Sequence, residues 1–120
     1  LLNFPEFFHN AAIYHDAFQF YSPEHEALLT SLPRDLAPLG LAEISWAIEW
    51  NCVRDATAGG HFEWHSGSQI LAFLPEIKKY LQSETYRLQK VEWCSRQKFE
   101  LDQEKFNRMW HREFEEEKHV

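Results

Sequence analysis

Glycine is scarce in this chain of 120 residues, with four, and proline adds only five. An all-β sandwich or barrel uses more of both at its turns, so the shortage argues for helices. Cysteine is rarer still. Cys52 and Cys94 lie far apart and match neither CxxC nor any other zinc-finger spacing. No disulfide scaffold is expected from such a pair, and free thiols point to a reducing compartment, the cytoplasm. No apolar run approaches the ~18–20 residues of a membrane helix, and no basic-then-apolar leader opens the chain, so neither a membrane span nor a membrane partner is expected. Opening on Leu1 rather than Met is what a trimmed or processed piece would show.

Lysine is missing altogether from residues 1–66, where Arg34 and Arg54 are the only bases against nine acids: Glu6, Asp16, Glu24, Glu26, Asp35, Glu43, Glu49, Asp55 and Glu63. Residues 67–120 are balanced, so the first half carries the whole net charge of -7. An acidic field repels nucleic acid and anionic lipid and attracts a basic protein surface. Direct nucleic-acid binding is therefore not expected.

What is present is apolar and aromatic. The apolar fraction of 44%, with 16% aromatics, is that of a folded protein, and the length suits a single domain over residues 1–120. Asn3 reads as an N-cap, with Glu6 completing a capping box. Phe4, Phe7, Phe8, Ala11, Tyr14, His15 and Phe18 then form a helical aromatic stripe of core character. Ser22-Pro23-Glu24 starts a second helix, expected to end near Leu32 because Pro33 disfavours helical geometry before it. Residues 33–40 read as a loop. A third helix over about 41–57 is apolar on more than one face, which suits a central element, and Gly59-Gly60 should stop it.

Ser66 or Ser68 can cap a fourth helix from Gln69, kinked or ended by Pro75. From residue 76 to 120 there is neither Gly nor Pro. One helix of that length would reach about 67 Å at ~1.5 Å per residue, too long for this domain. The apolar rhythm fails near "QSET", where Ser83 can cap anew. Ser95 and Asp102 interrupt any heptad, so a coiled coil is not expected. The expectation is a bent or broken pair ending in a long exposed helix with a solvated tail. The fold class is thus mainly α: a compact domain of four to five helices with a long C-terminal helix.

The sharpest motif is "GGHFEWHS", residues 59–66. If helical, His61 and His65 share a face and could share a zinc ion. If extended, His61, Glu63 and His65 point one way and Phe62 and Trp64 the other. The two histidines would then stand about 13 Å apart at ~3.3 Å per residue and could not share a metal. Phe62 stands where the HExxH signature needs Glu. "HSGS" lacks the glycine of a nucleophile elbow, Cys52 has only Arg54 nearby to lower its pKa, and no Walker or GxGxxG motif occurs. No enzyme is expected.

The order "AEISWAIEW" (42–50), "AGGHF" (58–62), "SGS" (66–68) and "LDQEKF" (101–106) resembles a small bacterial family of acidic, helical DNA-mimic proteins. Ala58 stands where that family has Asn, and His61 separates the glycines from Phe62. The resemblance implies a helical protein whose carboxylates occupy a nucleic-acid-binding partner. Composition and resemblance together lead to one expectation, a non-catalytic acidic protein that binds a basic macromolecular surface. It could serve as an inhibitor, an immunity-type protein, a DNA mimic or an accessory subunit. Glu6, Asp16, Glu24, Glu26 and Asp35 are its candidate partner-binding residues. The alternative is a small zinc enzyme or sensor centred on His61 and His65; otherwise no cofactor is expected.

Overall fold

The start signal at Ser22 operates as its sequence context predicts. Ser22 Oγ accepts the His25 amide, Pro23 takes the first helical position, and helix α2 runs Pro23–Asp35. The computed structural model that shows this describes residues 2–3, 7–13, 19–65, 69–70 and 75–115. Pro33 does not end α2 near Leu32. It sits in the last turn, and the Leu36 amide still donates to Leu32 O at 2.9 Å. One intrahelical bond is forfeited for want of a proton on Pro33, while burial of Leu28, Leu32 and Leu36 along one side holds the turn in place.

The chain is mainly helical, as expected, but with six α-helices among the described residues where four to five were expected. Besides α2 these are α1 (Phe8–Ile13), α3 (Leu41–Glu49), α4 (Pro75–Leu81), α5 (Glu84–Arg96) and α6 (Gln103–Trp110). Five short strands were not foreseen: β1 (Leu2–Asn3), β2 (Gln19–Phe20), β3 (Val53–Asp55), β4 (Gln69–Ile70) and β5 (Phe99–Leu101). They form two small antiparallel sheets, one ordered β1-β4-β2 and one pairing Val53 with Leu101 and Asp55 with Phe99.

These pairings correct several expected boundaries. Asn3 is not an N-cap: it lies in β1 opposite Gln69, and the first helix begins at Phe8. Gln69 likewise belongs to a strand, and α4 starts at Pro75, a position that suits a residue without an amide proton. Ser66 and Ser68, the candidate caps, lie outside the described residues, as do Phe4, Tyr14, His15 and Phe18 of the aromatic stripe.

Helix α3 ends well short of residue 57. Asn51 adopts φ +55°, the left-handed region that Asn tolerates better than most residues. Its amide donates to Ile48 O at 3.1 Å, and the Cys52 amide donates to Ala47 O at 2.8 Å. This pair of bonds is a Schellman motif, which satisfies the helix's last carbonyls and redirects the chain into β3. Gly59 and Gly60, with φ +81° and +79°, therefore do not cap the helix but turn the chain after β3.

The long exposed C-terminal helix is also absent from the described residues. Ser83 caps α5 as foreseen, its Oγ accepting the Tyr86 amide at 3.1 Å. The helix then stops at Arg96 because residues 99–101 extend to pair with β3. Asp102 caps α6 through the Lys105 amide, and a π-helical turn, His111–Glu115, follows it. Far from lying free, this segment packs back on α3. Trp50 meets Phe106, Trp110 and Phe114 at centroid distances of 5.9–6.3 Å. Such aromatic pairs contribute about 0.5–1.5 kcal/mol each beyond the area they bury.

The core gathers Phe8 of α1, Leu28, Leu32 and Leu36 from α2 and its end, Ile44, Ala47 and Ile48 of α3, then Cys52, Val53, Phe99 and Phe106. Helix α3 is only partly the central element expected, since Leu41 and Trp46 are more than two-fifths exposed. Helix α5 packs along α2, with Gln97 at its end bonded to Ser31 and Glu24, and leaves Leu88 and Val91 outside.

Candidate partner-binding cleft

The motif "GGHFEWHS" takes its extended alternative. After the glycine turn, His61 bridges antiparallel to Arg54, and the Phe62 amide donates to Val53 O at 2.8 Å. Exposure then alternates: His61, Glu63 and His65 face out, while Phe62 and Trp64 are half-buried. Phe62 meets Phe99 edge-on at 5.0 Å, and Trp64 meets Phe8 at 5.7 Å and Phe20 at 6.1 Å. These aromatic contacts, on alternate residues, set the register of the stretch. An extended run spaces residues four apart by about 13 Å along the backbone, too far for His61 and His65 to share one ion. Among the described residues, no group of three or more His, Cys, Asp or Glu is arranged to hold a metal ion.

What converges instead is a cleft of about 190 Å³. The start of α2 brings Glu24 and His25, the end of β3 brings Asp55, and the extended stretch brings Glu63 and His65. Leu28, Phe62 and Phe99 supply apolar surface, and Gln97 completes the described lining. No lysine or arginine is among these residues.

Local bonds hold the carboxylates in place. Asp55 accepts the Thr57 and Ala58 amides at 2.9 and 3.0 Å through one carboxylate oxygen, an Asx turn that leaves the other oxygen uncommitted among the described residues. Gln97 clamps the end of α5 to α2, donating to Glu24 O at 3.0 Å while accepting Ser31 Oγ at 2.8 Å. His25 Nε2 lies 3.2 Å from His65 O. Glu63 approaches His65 only to 3.8 Å, with both side chains more than 70% exposed. Such a loose, solvated pair neutralises little.

The five candidate partner-binding residues have divergent fates. Glu24 is exposed and lines the cleft. Glu26, two residues on, is 1% exposed, and its Oε2 accepts the Phe20 amide at 2.7 Å. It points inward because α2 turns it about 200° from Glu24, and there it fastens β2 to α2. Asp35 is committed to the protein itself. Arg34 Nε and Nη2 grip its two oxygens at 2.7 and 2.9 Å, and Oδ2 also accepts the Phe99 amide at 3.0 Å. The Arg34 hydrogen bond holds the Asp35 carboxyl below its ordinary range, and Asp35 in turn raises the guanidinium. Arg34 also reaches Cys94 O and Gln97 O, tying the end of α5 into the same knot. Glu6 and Asp16 lie outside the described residues.

Sequence reading missed Asp55 and Gln97 as site residues. "DATAGG" carried a signal for the first, because Asp followed by small residues and glycine is Asx-turn chemistry. Nothing in the sequence marked Gln97, whose role arises only once α5 lies against α2. Of the two cysteines, Cys52 is buried at the end of α3, and burial pushes its thiol pKa up, away from the reactive thiolate. Cys94 is partly exposed, and neither is in a disulfide. No helix among the described residues is long and apolar enough to cross a membrane. No family model matches this chain, and no curated protein or solved structure matches it either.

Proposed function

We propose that this protein is a non-catalytic acidic interaction module that binds a basic macromolecular partner through the cleft at the start of α2. The observation that carries the reading is the cleft's composition. Glu24, Asp55 and Glu63 line the cleft together with Leu28, Phe62 and Phe99, with no lysine or arginine in the described lining. A lysine or arginine of the partner fits that chemistry, its methylene stem lying on the apolar surface and its charged head among the carboxylates. The first half of the chain, which holds no lysine, carries the protein's net negative charge, and such charge speeds encounter with a basic partner and sets specificity more than affinity. An inhibitor, an immunity-type protein, a DNA mimic or an accessory subunit would each use such a surface. Two free cysteines are in keeping with work in the cytoplasm.

Affinity capture from the native cell, followed by mass spectrometry at low and high salt, tests this reading. A basic protein should be retained at low salt, released at high salt, and weakened by Glu24→Lys and Glu63→Lys. A partner held equally at both salts and indifferent to both reversals would refute it.

A further inference from the structure

A second cavity, of about 320 Å³, opens between α1 and α3, and none of the residues of the acidic cleft lines it. Its described walls are Phe7, His9, Ala42, Ser45, Trp46 and Glu49. We propose that this cavity binds a small organic amine, a protonated amino group carried on an aromatic or alicyclic body.

Internal contacts hold the walls of the cavity in place. His9 is fastened twice to α3, its backbone amide and its ring Nδ1 each lying 2.9 Å from Ser45 Oγ. The walls themselves are braced. Phe7 stacks on His9 at 5.8 Å and 13°, and Trp46 stacks on Trp50 at 5.1 Å and 25° while remaining 41% exposed. A preformed pocket of mainly carbon surface with a few polar groups is the usual form of a small-molecule site, and preorganisation removes part of the ordering cost of binding.

Charge decides the class of ligand. Glu49 is the only carboxylate in the described lining, and it is exposed, with no hydrogen-bond or ion-pair partner among the described residues. No lysine or arginine is in that lining. Aromatic faces present negative electrostatic potential, so Phe7 and Trp46 act in the same sense as Glu49. Both features attract a cation and oppose an anion of the same shape. The apolar walls require a hydrophobic body behind the charge.

Titration calorimetry and ligand-observed NMR with phenethylamine test the proposal, with 2-phenylethanol as the neutral comparator and 3-phenylpropionate as the anion. Phenethylamine should bind, the alcohol should bind more weakly, and the acid should not be detected. Glu49→Gln, at an exposed position, should weaken the amine about threefold to fivefold, the scale of a solvated charge pair. Ala42→Leu, exposed on α3 and projecting into the cavity, should weaken it at least tenfold while the circular dichroism spectrum and melting curve stay in place. Failure of phenethylamine to bind, equal binding of the acid, or affinity unchanged in both variants would overturn the assignment. Glu24→Lys, which tests the partner cleft, should leave amine binding intact, so the two readings fail separately.

Discussion

Removing the Asp35 carboxylate should destabilise the protein through one orphaned amide more than through the lost ion pair. Asp35 accepts three hydrogen bonds, two from Arg34 and one from the Phe99 amide, and Phe99 is a buried core residue. Arg34 is exposed, so water can replace its partner, and such a pair contributes about 0.2–1 kcal/mol. The Phe99 amide has less access to water, and leaving a buried donor unmade costs about 1–3 kcal/mol. Asp35→Asn keeps an oxygen for Phe99 and should cost only about 1 kcal/mol, whereas Asp35→Ala should cost about 2–3 kcal/mol. At roughly 3–5 °C per kcal/mol for a chain of this size, the two variants should melt several degrees apart.

The same pair carries a pH signature. Arg34 depresses the Asp35 pKa in the folded state, so the stabilisation is fully present above the unfolded carboxyl pKa of about 3.9 and is lost as pH falls through the lower folded value. Urea unfolding of the parent protein and Asp35→Asn should therefore differ by a constant amount from about pH 5 to pH 7, begin to converge near pH 4, and meet once pH falls through the lower folded value. Equal losses for Asn and Ala, or a gap that persists in acid, would refute the reasoning.

Three further outcomes follow from the same geometry. Tyr86→Phe removes a buried hydroxyl that donates to Phe20 O at 2.5 Å, and calorimetric melting should report a loss of about 1–2 kcal/mol. Burial raises the Tyr86 pKa, so that stabilisation holds below the unfolded value of about 10 and fades as pH climbs through the higher folded one; the Phe variant should show a shallower alkaline loss of stability. Gly59→Ala meets open space at its new Cβ but keeps φ +81°, so denaturant titration should show about 1–2 kcal/mol of backbone strain alone. His61→Ala should leave the metal content of the purified protein unchanged by elemental analysis, since an extended stretch spaces His61 and His65 about 13 Å apart along the backbone; stoichiometric zinc lost on that substitution would contradict the extended reading.

Local chemistry was legible in the sequence wherever it rests on neighbours along the chain. Ser22 and Ser83 cap the helices they announce, and scarce glycine and proline foretold a mainly helical chain. Asn51 was legible in principle, as a residue tolerant of left-handed geometry, yet the apolar rhythm that continues to Val53 masked it. For "HFEWH" the sequence supplied two mutually exclusive readings, and the contacts of Phe62 with Phe99 and of Trp64 with Phe8 decided between them.

Pairings between distant segments were decided only by the tertiary structure. A two-residue strand such as Gln69–Ile70 has no period to detect, and it exists because Leu2 and Gln19 lie on either side of Ile70. Residues 99–101 break a helix-compatible stretch for the same reason, their partner being β3. Sign and number of charges are properties of composition, but whether a carboxylate faces water, an arginine or a buried amide depends on what packs over it. Glu24, Glu26 and Asp35 looked alike in the sequence; a turn of helix and the arrival of Phe20 and Arg34 made them three different groups.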